Sequence, residues 1–478
     1  MQSLLMEVAG SQTPEQIVAS LSGEAVVLLR TGLFNSPSQR YSIIAADPFL
    51  IFRSTGSQCL LQTESKNFTQ FGNPWQMLDH LICRYEILDE IDLPFPLGGC
   101  FGWWGFELKN FVEPKLSQRA VQDLEIPDCA VGFYDSLVVI DHHLSKTWII
   151  STGMQADGTR SEQRAGQQMS RWERRLKKVF NRRPNMEIAV ASISSTFSRE
   201  SFIEGVKRIK KYIYQGDIYQ VNLAQRLQFK LDCPPFALFE ALSNASPAPH
   251  AAYLDFGQVK VVSSSPEQFL KMSGNHIQTR PIKGTRPRGA DPLRDAQLSY
   301  ELQSSPKELA ELVMITDLLR NDLGKICEYG SVHVPELVKL EKYPQVQHLV
   351  STVEGEIRSS FTHLGALAST FPGGSISGAP KIRALEIIDE LEPVSRGVYT
   401  GSIGYIGFNR ESQLNIAIRT ATVINGACYF HVGAGIVADS DPVCEYDETL
   451  AKAAGLFAAL KVGNNCVPTF SLPKGVGS

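Results

Sequence analysis

Apolar residues open this chain in short blocks bounded by turn formers. Ala25-Val26-Val27-Leu28-Leu29, Tyr41-Ser42-Ile43-Ile44-Ala45 and Phe49-Leu50-Ile51-Phe52 each predict a strand, flanked by Gly, Pro, Asn or Ser. Residues 74–88 carry a helical pattern, and the glycine-rich apolar stretch 98–106 suits close backbone packing. Cys129–Phe133 and Ser136–Asp141 predict two further strands joined as a hairpin. From Glu162 to Arg182 the chain turns polar and basic (Arg171, Arg174, Arg175, Lys177, Lys178). This predicts a connecting helix with a solvated charged face, an anion or partner patch being the alternative. Arg183-Pro184-Asn185 ends it, and from Ser198 helices and strands alternate. The pattern divides the chain into a first region, 1–160, a connector, 161–195, a second region, 196–463, and a tail, 464–478, expected to fray.

Composition narrows the class without naming a chemistry. The 478 residues are 43% hydrophobic and 20% charged, ordinary for a soluble enzyme with a large core. A net charge of −4 gives no reason to expect nucleic acid or an anionic membrane surface as partner. No apolar run approaches the roughly 20 residues of a membrane span, and the N-terminus lacks a basic segment and cleavage site for export. Nine scattered cysteines without Cys-x-x-Cys read as reduced thiols, so the expectation is a cytoplasmic enzyme.

Candidate chemistry concentrates in the second region. Glu267, in Ser264-Ser265-Pro266-Glu267-Gln268, stands sixteen positions before Lys283, in Pro281-Ile282-Lys283-Gly284-Thr285. The run between them alternates apolar and polar residues around Ser273-Gly274-Asn275, the turn chemistry of a hairpin. Such a hairpin can bring a proton donor and an amine nucleophile into one pocket, where each tunes the other. Gly284 and Thr285 open a glycine-bounded basic loop suited to anions.

Two acidic pairs repeat a spacing of three: Glu308 and Glu311 after Ser305-Pro306, and Glu445 and Glu448 after Asp441-Pro442. On a helix each pair shares one face, and facing pairs would make an oxygen-rich site for Mg²⁺. Helix capping and the helix dipole explain Glu308 and Glu445 better than a metal does, whereas Glu311 and Glu448 lie deeper beside apolar residues, where the metal reading is ahead. A third element, Phe371 to Lys381, is rich in glycine and serine and leads into a helix from Ile382 to Leu391. Its Ser375, Gly378 and Lys381 suit a carboxylate. It is no P-loop, because Pro380 interrupts Gly-Lys and Ile382 replaces the metal-binding hydroxyl. Arg419 ends an apolar strand and calls for an acidic partner.

Ser-Pro-Glu followed by Pro-Ile-Lys-Gly-Thr resembles the chorismate-utilising enzymes, and among their branches component I of aminodeoxychorismate synthase. Glu308-Leu309-Ala310-Glu311 and Glu445-Tyr446-Asp447-Glu448-Thr449 with Lys452 match the family's magnesium segments. The resemblance is dense over 200–460 and thinner over 24–150. It implies an α/β (α+β) fold: a two-layer β-sandwich core with surrounding helices, both halves contributing strands around a central cleft. It implies Glu311 and Glu448 as magnesium ligands, with Glu308 and Glu445 supporting through water. It further implies Ser375 at the ring carboxylate of chorismate, Arg419, Tyr405 and Gly435 at the enolpyruvyl carboxylate with Lys452 nearby, and His348 at the ring; Gly433-Ala434-Gly435, expected just after the strand that follows Arg419, offers unhindered amides. Glu267 would protonate the departing hydroxyl, while Lys283, kept neutral by desolvation, would form a covalent adduct that ammonia displaces. The chain has no recognisable glutaminase unit, so a glutamine amidotransferase subunit in a heterodimer is the expected ammonia source.

The nearest rival is the first component of anthranilate synthase, which typically carries alanine at the Lys283 position. Isochorismate and salicylate synthases carry a water-activating lysine where this chain has Gln220. A non-catalytic amino-acid sensor is the remaining class. Leu28-Leu29-Arg30-Thr31 lacks the acidic-serine ending of tryptophan-inhibited relatives, and Glu267, Glu311, His348 and Glu448 together speak for catalysis.

Overall fold

The computed structural model describes residues 2–8, 12–21, 23–31, 40–88, 93–178, 188, 190–343, 345–462 and 468–471. Two large sheets carry it, one of thirteen strands and one of twelve. The larger runs Leu4–Val8, Lys146–Ser151, Ser136–Asp141, Tyr41–Ala45, Val26–Arg30, His250–Phe256, Val259–Ser265, Thr420–Ile424, Ala427–Ile436, Gln220–Lys230, Ser194–Ser195 and Thr469–Phe470, with Gly378–Ala379 added beside Gln220. The smaller runs Ile282–Pro287, Val346–Glu356, His276–Arg280, Gln268–Ser273, Glu411–Ile416, Ser402–Gly407, Gly99–Trp104, Cys129–Tyr134, Leu50–Thr55, Gln58–Thr63 and Asn67–Phe71, with His333–Lys342 beside Val346–Glu356.

Neither half of the chain makes a sheet of its own. Val26–Arg30 pairs with His250–Phe256, and Gly99–Trp104 pairs with Ser402–Gly407. Central strands are buried on both faces, which is why they read as continuous apolar runs instead of alternating ones. In Gly99–Trp104, Phe101 and Trp103 enter the core between the sheets, while Cys100 and Trp104 face the outer helices. Those helices include Pro74–Tyr85, Pro306–Gly324 and His363–Thr370 over the smaller sheet. Glu162–Leu176, Pro235–Ala245 and Ala454–Ala459 cover the larger one. The result is the expected mixed α/β architecture, a sandwich of sheets with helices outside. Gly102 is required where two backbones meet, since a Cβ there would stand 2.0 Å from the Ala130 carbonyl oxygen.

Cys129–Tyr134 and Ser136–Asp141 are not a hairpin. The first belongs to the smaller sheet and the second to the larger, so the chain crosses the sandwich at Asp135. One intervening residue is too few for a two-residue turn, and both strands are buried throughout. The connector forms the helix Glu162–Leu176, whose Arg164 pairs with Asp135 and whose Arg171 and Arg175 pair with Asp47. The Arg183-Pro184-Asn185 boundary lies outside the described residues. Within the tail expected to fray, Thr469–Phe470 instead adds a short parallel strand against Ser194–Ser195. Among the described residues no helix is long and apolar enough to cross a membrane.

Candidate active site

Two further sheet crossings run side by side and build the chemical centre. At Pro266-Glu267 the chain passes from Val259–Ser265 to Gln268–Ser273; at Ala417 to Arg419 it returns from Glu411–Ile416 to Thr420–Ile424. The Ile416 amide donates to the Glu267 carbonyl at 3.1 Å and the Ser264 amide to that of Arg419 at 3.0 Å. The predicted hairpin is present: Gln268–Ser273 pairs with His276–Arg280, and Ser273 faces His276 across the turn. Past Pro281, Ile282–Pro287 pairs with Val346–Glu356, which sets Lys283 opposite Leu349 and Thr285 opposite His348.

Glu267 is buried, with one carboxyl oxygen accepting the Ser375 hydroxyl at 2.6 Å. Burial raises its pKa above the usual carboxylate value, opposed by that hydrogen bond and by the charges of Lys283 and Lys452. Lys283 is half-buried, and its charge also reaches Glu311 and Glu448. His348 is pushed down to about 4 by burial and by the nearby Arg419 charge. Its Nδ1 lies 3.2 Å from the Gly284 carbonyl, which can only accept, and 3.0 Å from the Thr285 hydroxyl. Nδ1 therefore carries the proton and Nε2 is left as an acceptor. Gly284 has φ +65°, and a Cβ there would meet Leu302 Cδ1 at 2.6 Å and Glu308 Oε2 at 3.0 Å. Only glycine lets the reactive strand lie this close to the acidic helix.

The anion-binding wall differs from expectation in two residues. Lys381 reaches neither Ser375 nor Glu267: its ammonium is tied to Asp322 at 2.7 Å and to the Thr370 carbonyl at 3.0 Å. A buried lysine needs a permanent partner, and the helix Pro306–Gly324 supplies one. Tyr405 shares the face of Ile403 and packs between the sheets, stacked on Phe101 at 5.3 Å. Strand alternation turns it away from the cleft.

Tyr399, which the sequence reading passed over, lies there instead. A Cβ on Gly433 would come within 2.9 Å of its hydroxyl and 2.5 Å of Asn222 Oδ1. A tyrosine directly after Arg-Gly-Val, before a strand, was the available signal. Gly433 and Gly435 sit inside the strand Ala427–Ile436, not after it, past the last residue paired with Thr420–Ile424, so that edge is open. Gly435 faces the Gln220 amide, whose Oε1 is buried without a partner among the described residues. Gly378 lies against the Gln220 carbonyl, a close backbone approach that holds the serine-glycine loop to its neighbouring strand. Arg419 (φ +49°) has no hydrogen-bond or ion-pair partner for its guanidinium among the described residues, and burial lowers its pKa.

The acidic helices Pro306–Gly324 and Pro442–Lys452 approach one another, with Lys307 Nζ 4.0 Å from Glu445 Oε1. Capping explains these carboxylates only in part. Ser305 accepts from the Glu308 amide at 3.5 Å, but the Glu308 carboxylate turns to Arg286 at 3.5 Å. Asp441 caps its helix, leaving Glu445 free of that role. Burial raises Glu311 and Glu445; at Glu448 it is outweighed by Lys452, 2.8 Å away, and the pKa falls. Lys452 also donates to the Gly433 carbonyl at 2.9 Å. In kind the four carboxylates suit a hard divalent cation, and the buried Glu445 Oε2 has no hydrogen-bond partner. In position they stand apart: among the described residues no three acidic, histidine or cysteine side chains surround a common point.

Residues 30–458 match the family of chorismate binding enzymes. The chain is 38% identical over 438 residues to aminodeoxychorismate synthase component 1 of Escherichia coli, covering 91% of this chain and 93% of that protein. It is also 38% identical over 461 residues to anthranilate synthase component 1 of Thermus thermophilus, covering 95% and 96%. Among solved structures, anthranilate synthase component I from Streptococcus pneumoniae superposes with a TM-score of 0.77 at 28% identity, covering 93% of this chain and 97% of that one. The two kinds of relative are equally near, so likeness alone does not choose the reaction. Together with a cleft built from a buried carboxyl, a facing amine and an unpaired arginine, these matches mean that the chain belongs to the chorismate binding enzyme family.

Proposed function

We propose that this chain is the aminating component of an aminodeoxychorismate synthase, converting chorismate and ammonia to 4-amino-4-deoxychorismate, with a separate amidotransferase subunit delivering the ammonia. The observation that carries the reading is Lys283: an amine on the glycine-bulged strand, facing the buried Glu267 and the acidic helices. An anthranilate synthase has no use for a nucleophile there.

Arg419, without a partner among the described residues, would take the enolpyruvyl carboxylate, helped by Tyr399 and the open strand edge at Gly433 and Gly435. The ring carboxylate would lie between the serine-glycine loop and the acidic helices. Glu311 and Glu448, supported by Glu308 and Glu445, would hold a magnesium ion, which supplies charge neutralisation and electron withdrawal at that carboxylate. Glu267 has its proton retained by burial and donates it to the departing 4-hydroxyl, which leaves as water. The Lys283 amine bonds to C2, both ring double bonds shift by one position towards C4, and the C4–O bond breaks. Ammonia then bonds to C4, both double bonds shift back, and the C2–N bond breaks to release Lys283. Glu267, now a carboxylate, takes the surplus proton from the new C4 ammonium, which restores the acid. His348, uncharged, offers Nε2 as an acceptor without adding positive charge.

The test is an ammonia-driven assay with chorismate and Mg²⁺, products resolved by chromatography. Aminodeoxychorismate is expected; anthranilate as the main product would overturn the reading.

A further inference from the structure

Arg396 is a buried cation, 2% exposed, that does not reach the cleft, yet it spends three of its five donors on the cleft's walls. Nε and Nη2 bind the two Glu392 carboxylate oxygens at 2.8 and 2.6 Å. Nη1 donates to the Ile376 carbonyl and the Thr400 hydroxyl, both at 3.2 Å, and Nη2 donates to the Asn222 carbonyl at 2.9 Å. That accounts for all five N–H groups of a guanidinium. Its guanidinium carbon also lies over the ring of Tyr399 at 5.6 Å, and Tyr399 is stacked with His431 at 5.1 Å and 11°.

Beyond Glu392, each acceptor belongs to a different wall. Ile376 closes the short turn Gly374–Ile376, whose Ser375 hydroxyl binds Glu267. Asn222 lies on Gln220–Lys230, opposite Gly435, and its amide nitrogen also donates to the Ile376 carbonyl at 3.2 Å. The Thr400 amide donates to the Ala417 carbonyl at 2.8 Å, on the crossing that carries Arg419. One planar side chain with fixed donor directions therefore helps set the spacing of three segments that lie far apart in sequence.

We propose that Arg396 is a positioning residue for the chemistry: by locking the Gly374–Ile376 turn, the Asn222 backbone and the Tyr399 ring to one another, it holds Ser375 on Glu267. The inference rests on the proposed function only in giving Glu267 the role of proton donor. The groups facing Glu267 are the Ser375 hydroxyl, Lys283 from its strand and Lys452 from its helix. Ser375 lowers the Glu267 pKa, so a turn set loose raises it, and the alkaline limb of the rate profile moves to higher pH.

The experiment follows ammonia-driven loss of chorismate by the full-length protein with Mg²⁺, per mole of folded enzyme, for Arg396→Lys, Ser375→Ala and Thr400→Val. Lysine keeps the charge beside Glu392 but cannot span the three walls. For Arg396→Lys, kcat should fall roughly 100-fold, as a misplaced group costs, with KM for chorismate within about threefold of its starting value. Its alkaline limb and that of Ser375→Ala should both move upward. Wild-type kcat and limb in Arg396→Lys, or an unmoved limb in Ser375→Ala, overturns the proposal. If Arg396→Lys does not fold, Thr400→Val decides with Ser375→Ala: a lowered kcat at unchanged KM supports it, and wild-type kinetics overturns it. Because the readout is chorismate loss, an enzyme that made anthranilate would refute the proposed product and leave this test intact.

Discussion

The stretch around Arg396 and the stretch around Arg419 lie side by side, joined by the Thr400–Ala417 backbone bond, and each carries an arginine, buried at Arg396 and half-buried at Arg419. Arg396 has every donor satisfied; Arg419 has no partner for its guanidinium among the described residues. An unpaired cation partly withdrawn from water is costly, and a folded chain tolerates it where a ligand will supply the missing charge. The saturated arginine is scaffold and the unsaturated one is a receptor. Lys381 and Lys283 repeat the contrast: the first is tied to Asp322, while the second faces several carboxylates across a cleft. Burial alone does not distinguish the two classes. Whether the donors are already spent does.

The largest effect should come from the unsaturated lysine. Lys283→Ala is expected to lose roughly 10³-fold or more in aminodeoxychorismate formation, with some anthranilate gained, at an unchanged thermal midpoint. Wild-type rates and products from this variant would erase the distinction for the lysines. Next, Arg396→Met should cost about 3–5 kcal/mol of stability in urea unfolding, because Glu392 is left buried and unpaired. Arg419→Gln should instead raise KM for chorismate by roughly 30–100-fold, the worth of a charged hydrogen-bonded pair, while leaving the midpoint unchanged or higher. A destabilised Arg419→Gln with normal KM would reverse the two roles.

Lys381→Met should lower stability by about 1–3 kcal/mol without moving KM, since Lys325 still pairs with Asp322 at 2.9 Å. A raised KM at constant stability would return Lys381 to the substrate site.

The smallest effect is acid sensitivity. His348 and His363 are buried and stay neutral in the folded state down to about 4. The unfolded chain takes up these protons near pH 6.5, so their contribution to stability is complete above about 6.5 and is lost as pH falls towards 4. Each should contribute on the order of 1 kcal/mol per pH unit in that window. His348→Gln should flatten the dependence of the urea midpoint on pH between 7 and 5, and an unchanged slope would show that His348 is charged in the fold.

Much of the site's local structure was legible in the residues. The hairpin around Gly274, the helix starts at Ser305-Pro306 and Asp441-Pro442, and the strand holding His348 all depend on neighbours a few positions away. Tyr405 and Tyr399 show where this reading stops. Both are aromatic, both are buried, and they lie six positions apart. Only the face of Ser402–Gly407 that meets the second sheet decides which one reaches the cleft. The supposed hairpin over 129–141 failed similarly, because two consecutive apolar strands look alike whether they pair or part.

By itself the sequence determined where short apolar strands would form between turn formers, and that a carboxyl, an amine and two acidic helix starts were available; the layered sandwich followed from the family resemblance. The tertiary structure alone decided which charges would be spent on the protein and which left for a ligand. Asp322 meets Lys381 across 59 positions and Ser375 meets Glu267 across 108. Satisfying a buried polar group is a property of the closed fold, because its partner arrives only when distant segments are brought out of water together.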